Sequence, residues 1–513
     1  MTIRSTFQKV LERTEVLRTR KDVVAIIATV DHMNGDVRSK APRRSWHVRL
    51  TRPRRNATTS VIRKWYVAPF FVLCSCSLID PHNMIGRQMG EMAGVPTQVV
   101  PPPPSAKLDA AARTKAFDFV WNTINERYYD PKFHGADWRA VGDRYRPLAL
   151  AAADDEAFWD VLDRMTGELR DAHTRVESPL RVELRKHEES VTFGFGFVPL
   201  DGRLVVTSVF IDSDAWWAGV RSGMRLVAIG EEPAMQAYEK LRAESRFDST
   251  PQSRHQRAVR RLLMGEVGSK MAFTFERADA SRFTATLRRQ RLRQPPTEIH
   301  RVLPSGFGYL RFNEWSIPLI MRAFDGVNEL SDTPGIVIDL RGNPGGAALA
   351  VNMLLERFYR DRTETGRVIT RTGKPVSLFF GAIEIIKLKR VIEGERNAYT
   401  GPIVVLLNAQ SASASELFAA TLQATGRAKV VGQPSCGCLL GFLGYAHVPG
   451  GADLAYSEVG FELSNGKHIE GEGVIPDKLV PIDPADLQIN RDRVLEEAQA
   501  LLATAVEGRA GKQ

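Results

Sequence analysis

The residues best suited to chemistry in this chain form a short run of small polar side chains, Ser411-Ala412-Ser413-Ala414-Ser415-Glu416. The run lies between an apolar stretch at 402–408, typical of a buried strand, and a helical run from Leu417 to Ala424. A serine here would be exposed at the start of a helix, where backbone N–H groups are free. Its hydroxyl is a weak nucleophile and would need a base. The alternative interpretation is a flexible small-residue linker or a helix N-cap.

A second run, Arg341-Gly342-Asn343-Pro344-Gly345-Gly346, follows the continuous apolar stretch 335–340. Such stretches are typical of strands buried in a parallel or mixed sheet. Each of the two runs thus directly follows a strand that is predicted to be buried in an α/β sheet.

These two runs and the segment 431–437 resemble the C-terminal processing peptidase (tail-specific protease) family, over about residues 108–485. The resemblance implies that Ser413 is the nucleophile and that the N–H of Ala414 is one oxyanion donor. It implies that the second donor is Gly345 or Gly346. It also implies a serine protease core of the α/β, ClpP/crotonase-like type at 295–485, followed by a C-terminal helix and tail at 486–513.

The sequence departs from this family where the catalytic base should be. Members with a Ser/Lys dyad carry Phe-Gly-Lys-Gly, whereas this chain has Cys436-Gly437-Cys438-Leu439 and, where those enzymes have a Gln, Phe442. Cys438 therefore substitutes for the lysine, although a thiol with an ordinary pKa of about 8.5 is an unusual base. Nearby Lys429 is interpreted as a solvated charge at a strand end.

The two cysteines are expected to be thiols or small buried apolar residues beside the site. A disulfide across one residue is the alternative. Cys-x-Cys alone is a poor metal signal, because tetrahedral zinc needs two further ligands. We therefore expect neither a metal nor a cofactor.

A second branch of the same superfamily, the tricorn-type core proteases, uses Ser, His and Glu. The segment Leu169-Arg170-Asp171-Ala172-His173-Thr174 resembles its histidine region, and 469–477 resembles its glutamate region. The resemblance implies that His173 is the base and Glu470 orients it, with Glu472 as a substitute for Glu470. A histidine with a pKa near 6.5 suits general-base work at neutral pH. His173 could instead be a hydrogen-bonded structural residue.

Two further modules are expected to precede the core. Helical spacing at 117–121 and 158–165 predicts a helical cap at 108–185. Residues 190–292 resemble a PDZ domain, in which Gly194, Phe195, Gly196 and Phe197 would form the loop that holds a peptide carboxylate. A glycine-rich loop can present several N–H donors to an anion, and an exposed strand edge can accept a peptide as an added strand.

The N-terminal part carries the charge of the chain. Of the 70 Lys and Arg and 60 Asp and Glu, residues 1–65 hold 16 and 5, a net charge of +11, whereas the whole chain carries +10 and the body is therefore nearly neutral. The balance gives no support for a nucleic-acid partner. Residues 1–60 are interpreted as a basic leader that is not translated in the native protein, with the true start near Val61.

Residues 61–76 then read as an export signal, a basic start followed by an apolar run and a small-residue site. Leu73-Cys74-Ser75-Cys76 resembles a bacterial lipobox with Cys76 lipidated, although Cys74 departs from the usual small residue. The alternative is a buried apolar strand. Residues 77–107, with Pro101–Pro104, are typical of an extended linker. No uninterrupted apolar run reaches the roughly 18–20 residues of a membrane-spanning helix.

The sequence thus predicts a multidomain α/β and α+β protein. The main hypothesis is an exported serine endopeptidase, periplasmic or at the cell envelope, that meets the membrane surface through a lipid anchor and acts on polypeptides. The alternative is a catalytically inactive relative that binds peptides as an adaptor.

Overall fold

The computed structural model describes residues 107–186, 189–244, 249–378 and 382–510. The leader at 1–60, the export signal with Cys76, and all of the linker except its last residue lie outside the described residues. Within the described ranges, no helix is long and apolar enough to cross a membrane.

The described chain begins with helices. The elements are α1 (Ala110–Arg127), a 3₁₀ turn (Phe133–Gly135), α2 (Trp138–Leu150), α3 (Asp155–Gly167), β1 (Arg175–Glu177) and α4 (Pro179–Lys186). An aspartate caps each of the first three helices by accepting a backbone N–H: Asp109, Asp137 and Asp154. The helical spacing read from the sequence is present, since Phe117, Val120 and the Phe158–Met165 face are buried.

The next segment, residues 189–293, is called the antiparallel module. Its elements are β2 (Glu189–Thr192), β3 (Phe195–Leu200), β4 (Arg203–Val209), α5 (Asp214–Trp217), β5 (Arg225–Ile229), β6 (Glu232–Pro233), α6 (Ala234–Glu244), α7 (Pro251–Leu263), β7 (Lys270–Glu276), β8 (Arg282–Arg288) and β9 (Gln290–Arg293). The main sheet has the order β3-β4-β5-β7-β8, with β6 on β5. Strand β3 is therefore an edge strand, and helix α7 packs beside it through the rings of His255 and Phe197.

The remaining chain builds a mixed sheet flanked by helices. Its elements are β10 (Glu298–Val302), β11 (Gly308–Phe312), α8 (Ile317–Glu329), β12 (Ile336–Asp339), α9 (Ala348–Leu355), a 3₁₀ turn (Glu356–Phe358), β13 (Thr363–Thr370), β14 (Val376–Leu378), β15 (Ile383–Ile386), β16 (Lys389–Ile392), β17 (Ile403–Leu407), α10 (Ala414–Ala424), β18 (Lys429–Gly432), β19 (Ala446–His447), β20 (Asp453–Ala455), β21 (Val459–Leu463), β22 (Lys478–Leu479), α11 (Pro484–Gln488) and α12 (Arg493–Ala510).

The central sheet has the order β10-β11-β12-β17-β18-β22, parallel from β11 onward. Every residue of β12 and of β17 is buried, because helices cover both faces of the sheet. These are the two apolar stretches that the sequence assigns to a buried sheet. Since both strands run in the same direction, their carboxyl ends meet at one edge.

The helical region is not a separate body. Strand β1 pairs with β20, Arg175 opposite Ala455, and the helices share one hydrophobic core with Val448, Leu454 and Tyr456. The turn that carries His173 lies just before β1, so this pairing fixes it against the C-terminal part of the chain.

Candidate active site

Ser413 lies between the end of strand β17 and the start of helix α10. Two residues before it, Ser411 is buried. Its backbone has φ 54° and ψ −115°, a conformation that a non-glycine residue rarely adopts. Strain of this kind persists only where the surroundings over-determine the backbone, and it clusters at functional sites. The predicted nucleophile is therefore held in a sharp strand-to-helix turn at the carboxyl edge of the sheet.

The glycine turn after β12 is joined to this serine segment by hydrogen bonds. Asn343 is fully buried, and its carbonyl accepts from the N–H of Ala412 (3.1 Å) and from Oγ of Ser415 (3.1 Å). Ser411 Oγ donates to the carbonyl of Leu340 (2.8 Å). These contacts set the position of the turn relative to Ser413.

Gly345 lies directly against the serine. A Cβ added to it would be 2.7 Å from Ser413 Cβ and 2.9 Å from the nitrogen of Ala414, and its φ is +101°. Its N–H donates to Asn343 Oδ1 (3.0 Å). The N–H groups of Ala414 and Gly346 donate to no protein atom in the described chain. Of the two glycines named from the sequence, Gly346 is therefore the one whose donor is available.

Glu416 is the residue that sequence reasoning missed. Its fully buried carboxylate accepts from the N–H groups of Ser413 (2.9 Å), Gly437 (2.7 Å) and Cys438 (3.0 Å), and from Ser435 Oγ. Burial raises the pKa of Glu416 to about 7, and these four hydrogen bonds oppose the shift. The spacing Ser413-x-x-Glu416 is that of a capping box, a signal present in the sequence.

Cys436 and Cys438 are joined by a disulfide, which corrects the expectation of two thiols. Their Cα atoms are 5.2 Å apart, within the usual range for a disulfide, and Gly437 between them has φ +70°. In the disulfide Cys438 has no thiolate and cannot act as a base in place of the lysine.

The disulfide loop instead contacts the segment of Ser413 through its backbone. The N–H of Ser413 donates to the carbonyl of Cys438 (3.0 Å), and the N–H of Cys436 donates to the carbonyl of Ser411 (2.9 Å). Both cysteines are buried. The position of the dyad lysine is thus taken by a covalently closed turn that supports the serine.

His173 is buried in the turn before β1, and its Nδ1 has no hydrogen-bond partner in the described chain. Burial lowers the pKa of His173 to about 4, against the effect of Asp171 and with a further lowering from Arg175. Asp171 accepts the backbone N–H of His173 (2.8 Å) and the hydroxyl of Thr174. The imidazole is therefore neutral at ordinary pH.

Glu470 is half-buried overall, but its carboxyl group is enclosed. Its Oε2 accepts the N–H of Leu439 (2.6 Å), and its Oε1 is buried with no partner in the described ranges. Burial raises the pKa of Glu470 well above its usual value, and Asp171 and Glu416 add to the effect. The nearby Ser249 hydroxyl, itself without a hydrogen-bond partner in the described chain, and the N–H of Leu439 oppose it. Glu472 is exposed, so it does not share this environment.

The three predicted catalytic residues are gathered only in part. Ser413 and Glu470 contact the same segment, Ser413 at Cys438 and Glu470 at Leu439. Among the described residues no hydrogen bond joins His173 to either of them. The two atoms that a triad would join, His173 Nδ1 and Glu470 Oε1, are both buried and unpartnered. The triad stays a prediction.

The other predicted positions fall outside this cluster. Lys429 is an exposed strand-end residue paired with Asp477 at 2.8 Å, and Phe442 packs its ring against Tyr445 at 5.2 Å. In the expected carboxylate loop, Gly194 has φ +87° before strand β3, and the side chains of Phe195 and Phe197 are buried. Only backbone groups of this loop are thus available for a peptide.

A strained serine at the start of a helix, beside the free N–H groups of Ala414 and Gly346, defines a class of α/β proteins with the site geometry of serine hydrolases. The sequence matches the profile of peptidase family S41 over residues 306–480 and that of the tricorn protease C1 domain over residues 109–167. Residues 306–480 are thus similar to peptidase family S41, a family of serine-type peptidases. This confirms the resemblance read from the motifs.

Individual relatives agree with this assignment. A carboxyl-terminal-processing protease of Picosynechococcus is 25% identical over 382 residues, 71% of this chain and 82% of the relative. Tricorn protease homolog 1 of Streptomyces coelicolor is 25% identical over 419 residues, 78% of this chain, and the chain spans only 36% of that relative's length. The crystal structure of mature CPAF, 15% identical, aligns over 78% of this chain and 98% of its own with a TM-score of 0.60, which shows a shared fold.

The contact of Gly345 with the serine leads to a first prediction. Gly345→Ala should lower the rate at which a fluorophosphonate probe labels Ser413 by at least about 10²-fold, because the new Cβ displaces Ser413 and the donor of Ala414. The control is Gly342→Ala in the same turn. Gly342 also has a positive φ, +76°, but its nearest neighbour to an added Cβ is 3.7 Å away. Equal labelling of the two variants would contradict the assigned geometry.

The disulfide leads to a second prediction. Reduction by a dithiol, or the double substitution Cys436→Ser with Cys438→Ser, should slow probe labelling at Ser413, because the turn that accepts the N–H of Ser413 loses its covalent tie. Mass spectrometry of labelled peptides gives the rate. The reductant should have no effect on the double variant, which separates this disulfide from Cys74 and Cys76. Unchanged labelling after complete reduction would refute the idea.

Proposed function

We propose that the chain is a serine endopeptidase that cleaves polypeptides through an acyl-enzyme. The observation that carries this proposal is the strained backbone of Ser413 beside the free N–H groups of Ala414 and Gly346. These two donors suit the oxyanion of a tetrahedral intermediate. The family assignment supports the same reaction class.

In the proposed mechanism, Ser413 Oγ attacks the scissile carbonyl and His173 accepts the proton of the hydroxyl. Glu470 orients the imidazole and stabilises the imidazolium that forms. His173 then donates the proton to the leaving amine, and a water molecule activated by the same imidazole hydrolyses the ester. This requires His173 Nδ1 to donate to Glu470 Oε1, so that the two unpartnered buried atoms satisfy each other.

The chain offers two features for an extended polypeptide. An open cavity of about 410 Å³ is lined by Glu470 and by the apolar side chains Ile369, Leu440 and Phe461. The edge of strand β3 begins at the Gly194 turn, where backbone donors could receive a peptide carboxylate. We infer that residues 190–292 act as a PDZ-like module that holds a polypeptide C-terminus or an extended segment, and that 108–185 acts as a helical cap.

We also propose that the protein is exported and lipid-anchored at Cys76. The basic and apolar pattern of 61–76 supports export, and the disulfide in the protease core supports an oxidising compartment. N-terminal sequencing of the native protein tests this proposal. Recovery of peptides from residues 5–50 in the mature protein would overturn it.

The proposed triad gives a third prediction. Ser413→Ala and His173→Ala should each lower peptide hydrolysis by at least about 10³-fold, because each removes a member of a unit that acts together. Ser413→Ala should also abolish probe labelling. Full activity in His173→Ala would remove the triad. Retained peptide binding with no labelling of Ser413 in the unsubstituted protein would favour the peptide-binding adaptor instead.

The raised pKa of Glu470 gives a fourth prediction. Catalysis requires a neutral His173 and an ionised Glu470; His173 is neutral above about pH 4, whereas Glu470 keeps its proton well above the usual carboxyl range. Activity should therefore fall as the pH drops through the raised pKa of Glu470. The pH profile of kcat/KM measures this, and Glu470→Gln should show low activity without that limb. An unchanged limb in Glu470→Gln would assign it to another group.

A further inference from the structure

A charged pocket lies away from the serine, where helix α3, strand β1 and helix α7 meet. It has a volume of about 50 Å³, room for a few water molecules or one small anion. Six arginines line it: Arg164, Arg175, Arg181, Arg257, Arg260 and Arg261. Three acidic side chains line it among the residues that the structure describes, Asp160, Asp163 and Glu244, so this described lining carries an excess of positive charge.

Four of the six arginines have acidic partners. Arg257 pairs with Asp163 at 2.9 Å, and Arg175 pairs with Glu177 at 2.8 Å, outside the pocket lining. The other two lining acids also form ion pairs. Asp160 pairs with Arg164 at 3.2 Å and with Arg261 at 3.6 Å, and Glu244 pairs with Arg261 at 3.2 Å. The acidic residues of the pocket are therefore all engaged.

Arg181 and Arg260 are the two lining arginines that have not been assigned an acidic partner. Neither forms a hydrogen bond or an ion pair with any residue that the structure describes, although both face the same pocket. Both arginines are exposed as whole residues. Enclosure of the Arg260 guanidinium lowers its pKa to about 10, the charges of Arg175, Arg257 and Arg181 lower it further, and Asp163 opposes the shift. Guanidinium groups gathered without counter-charge are unfavourable, and a bound anion would remove the repulsion.

We propose that this pocket binds a doubly charged oxyanion, a phosphoryl group, between the guanidinium groups of Arg181 and Arg260. Two arginines without an ion-pair partner among the described residues match a dianion, whereas a single carboxylate would leave one of them unbalanced. The planar fork of arginine suits two-point binding of phosphate oxygens. The site is separate from Ser413 and does not rest on the proposed peptidase activity.

The experiment uses the full chain and measures thermal unfolding and calorimetric binding with inorganic phosphate, at constant ionic strength set with chloride. A ligand that binds only the folded state raises the melting temperature with its concentration. Phosphate should raise it in a saturable way, and acetate should not. Arg260→Gln and Arg181→Gln should each weaken phosphate binding at least tenfold. Arg367→Gln removes an exposed arginine paired with Glu462 elsewhere and should leave phosphate binding unchanged.

A second arm compares inorganic phosphate with the monoester glycerol 3-phosphate. Binding of both assigns the pocket to a phosphoryl group carried on a larger molecule, and binding of phosphate alone assigns it to the free ion. The proposal is overturned if phosphate gives no saturable shift. It is also overturned if Arg260→Gln, shown to be folded by circular dichroism, binds phosphate as well as the unsubstituted chain does.

Discussion

The site depends on one buried carboxylate. Glu416 lies within the first turn of helix α10 and accepts four hydrogen bonds, one from the backbone N–H of Ser413 and three from the segment 435–438. A buried carboxylate is costly unless such donors surround it. Here the donors belong to the backbone of Ser413 and to the disulfide turn, so the carboxylate of Glu416 holds both segments in position. The unusual φ of Ser413 persists because these partners leave no other arrangement.

The charged and titratable groups around Glu416 influence one another. The N–H of Leu439, one residue beyond the Glu416 contacts, donates to Glu470. Burial raises the pKa of Glu470, and the charges of Asp171 and Glu416 raise it further. His173 is held neutral by burial, with its Nδ1 unsatisfied. The two atoms that the proposed triad would join are therefore both unsatisfied in the described arrangement, and a hydrogen bond between them would satisfy both.

Much of this could be predicted from the sequence, because the relevant signals are local. Apolar runs predicted strands β12 and β17, and helical spacing predicted the buried Phe158–Met165 face. The position of Ser413 between a strand and a helix followed from these same patterns. The choice between Gly345 and Gly346 could not be made, since it depends on whether Asn343 Oδ1 captures one of the two N–H groups. That depends on the tertiary position of the Asn343 side chain, which no local pattern encodes.

The cysteines show the same limit. Cys-x-Cys is compatible with thiols or a disulfide, and only the fold of the turn around Gly437 brings the two sulfur atoms together. Glu416 had a visible signal in its capping-box spacing, but that spacing describes a helix start and does not reveal the three further donors from 435–438.

Helix α7 shows how far the disulfide turn is connected. Thr250, its N-cap, donates its hydroxyl to the carbonyl of Cys436, and Gln256 donates to the carbonyl of Ala409 just before the serine run. The covalent tie at Cys436 and Cys438 thus lies where the antiparallel module meets the core. A chain newly made in a thiol-rich cytosol would lack this tie. Oxidation of Cys436 and Cys438 would then close the turn beside Ser413. Transfer to an oxidising compartment would in that case activate the site, as removal of a propeptide does in other proteases.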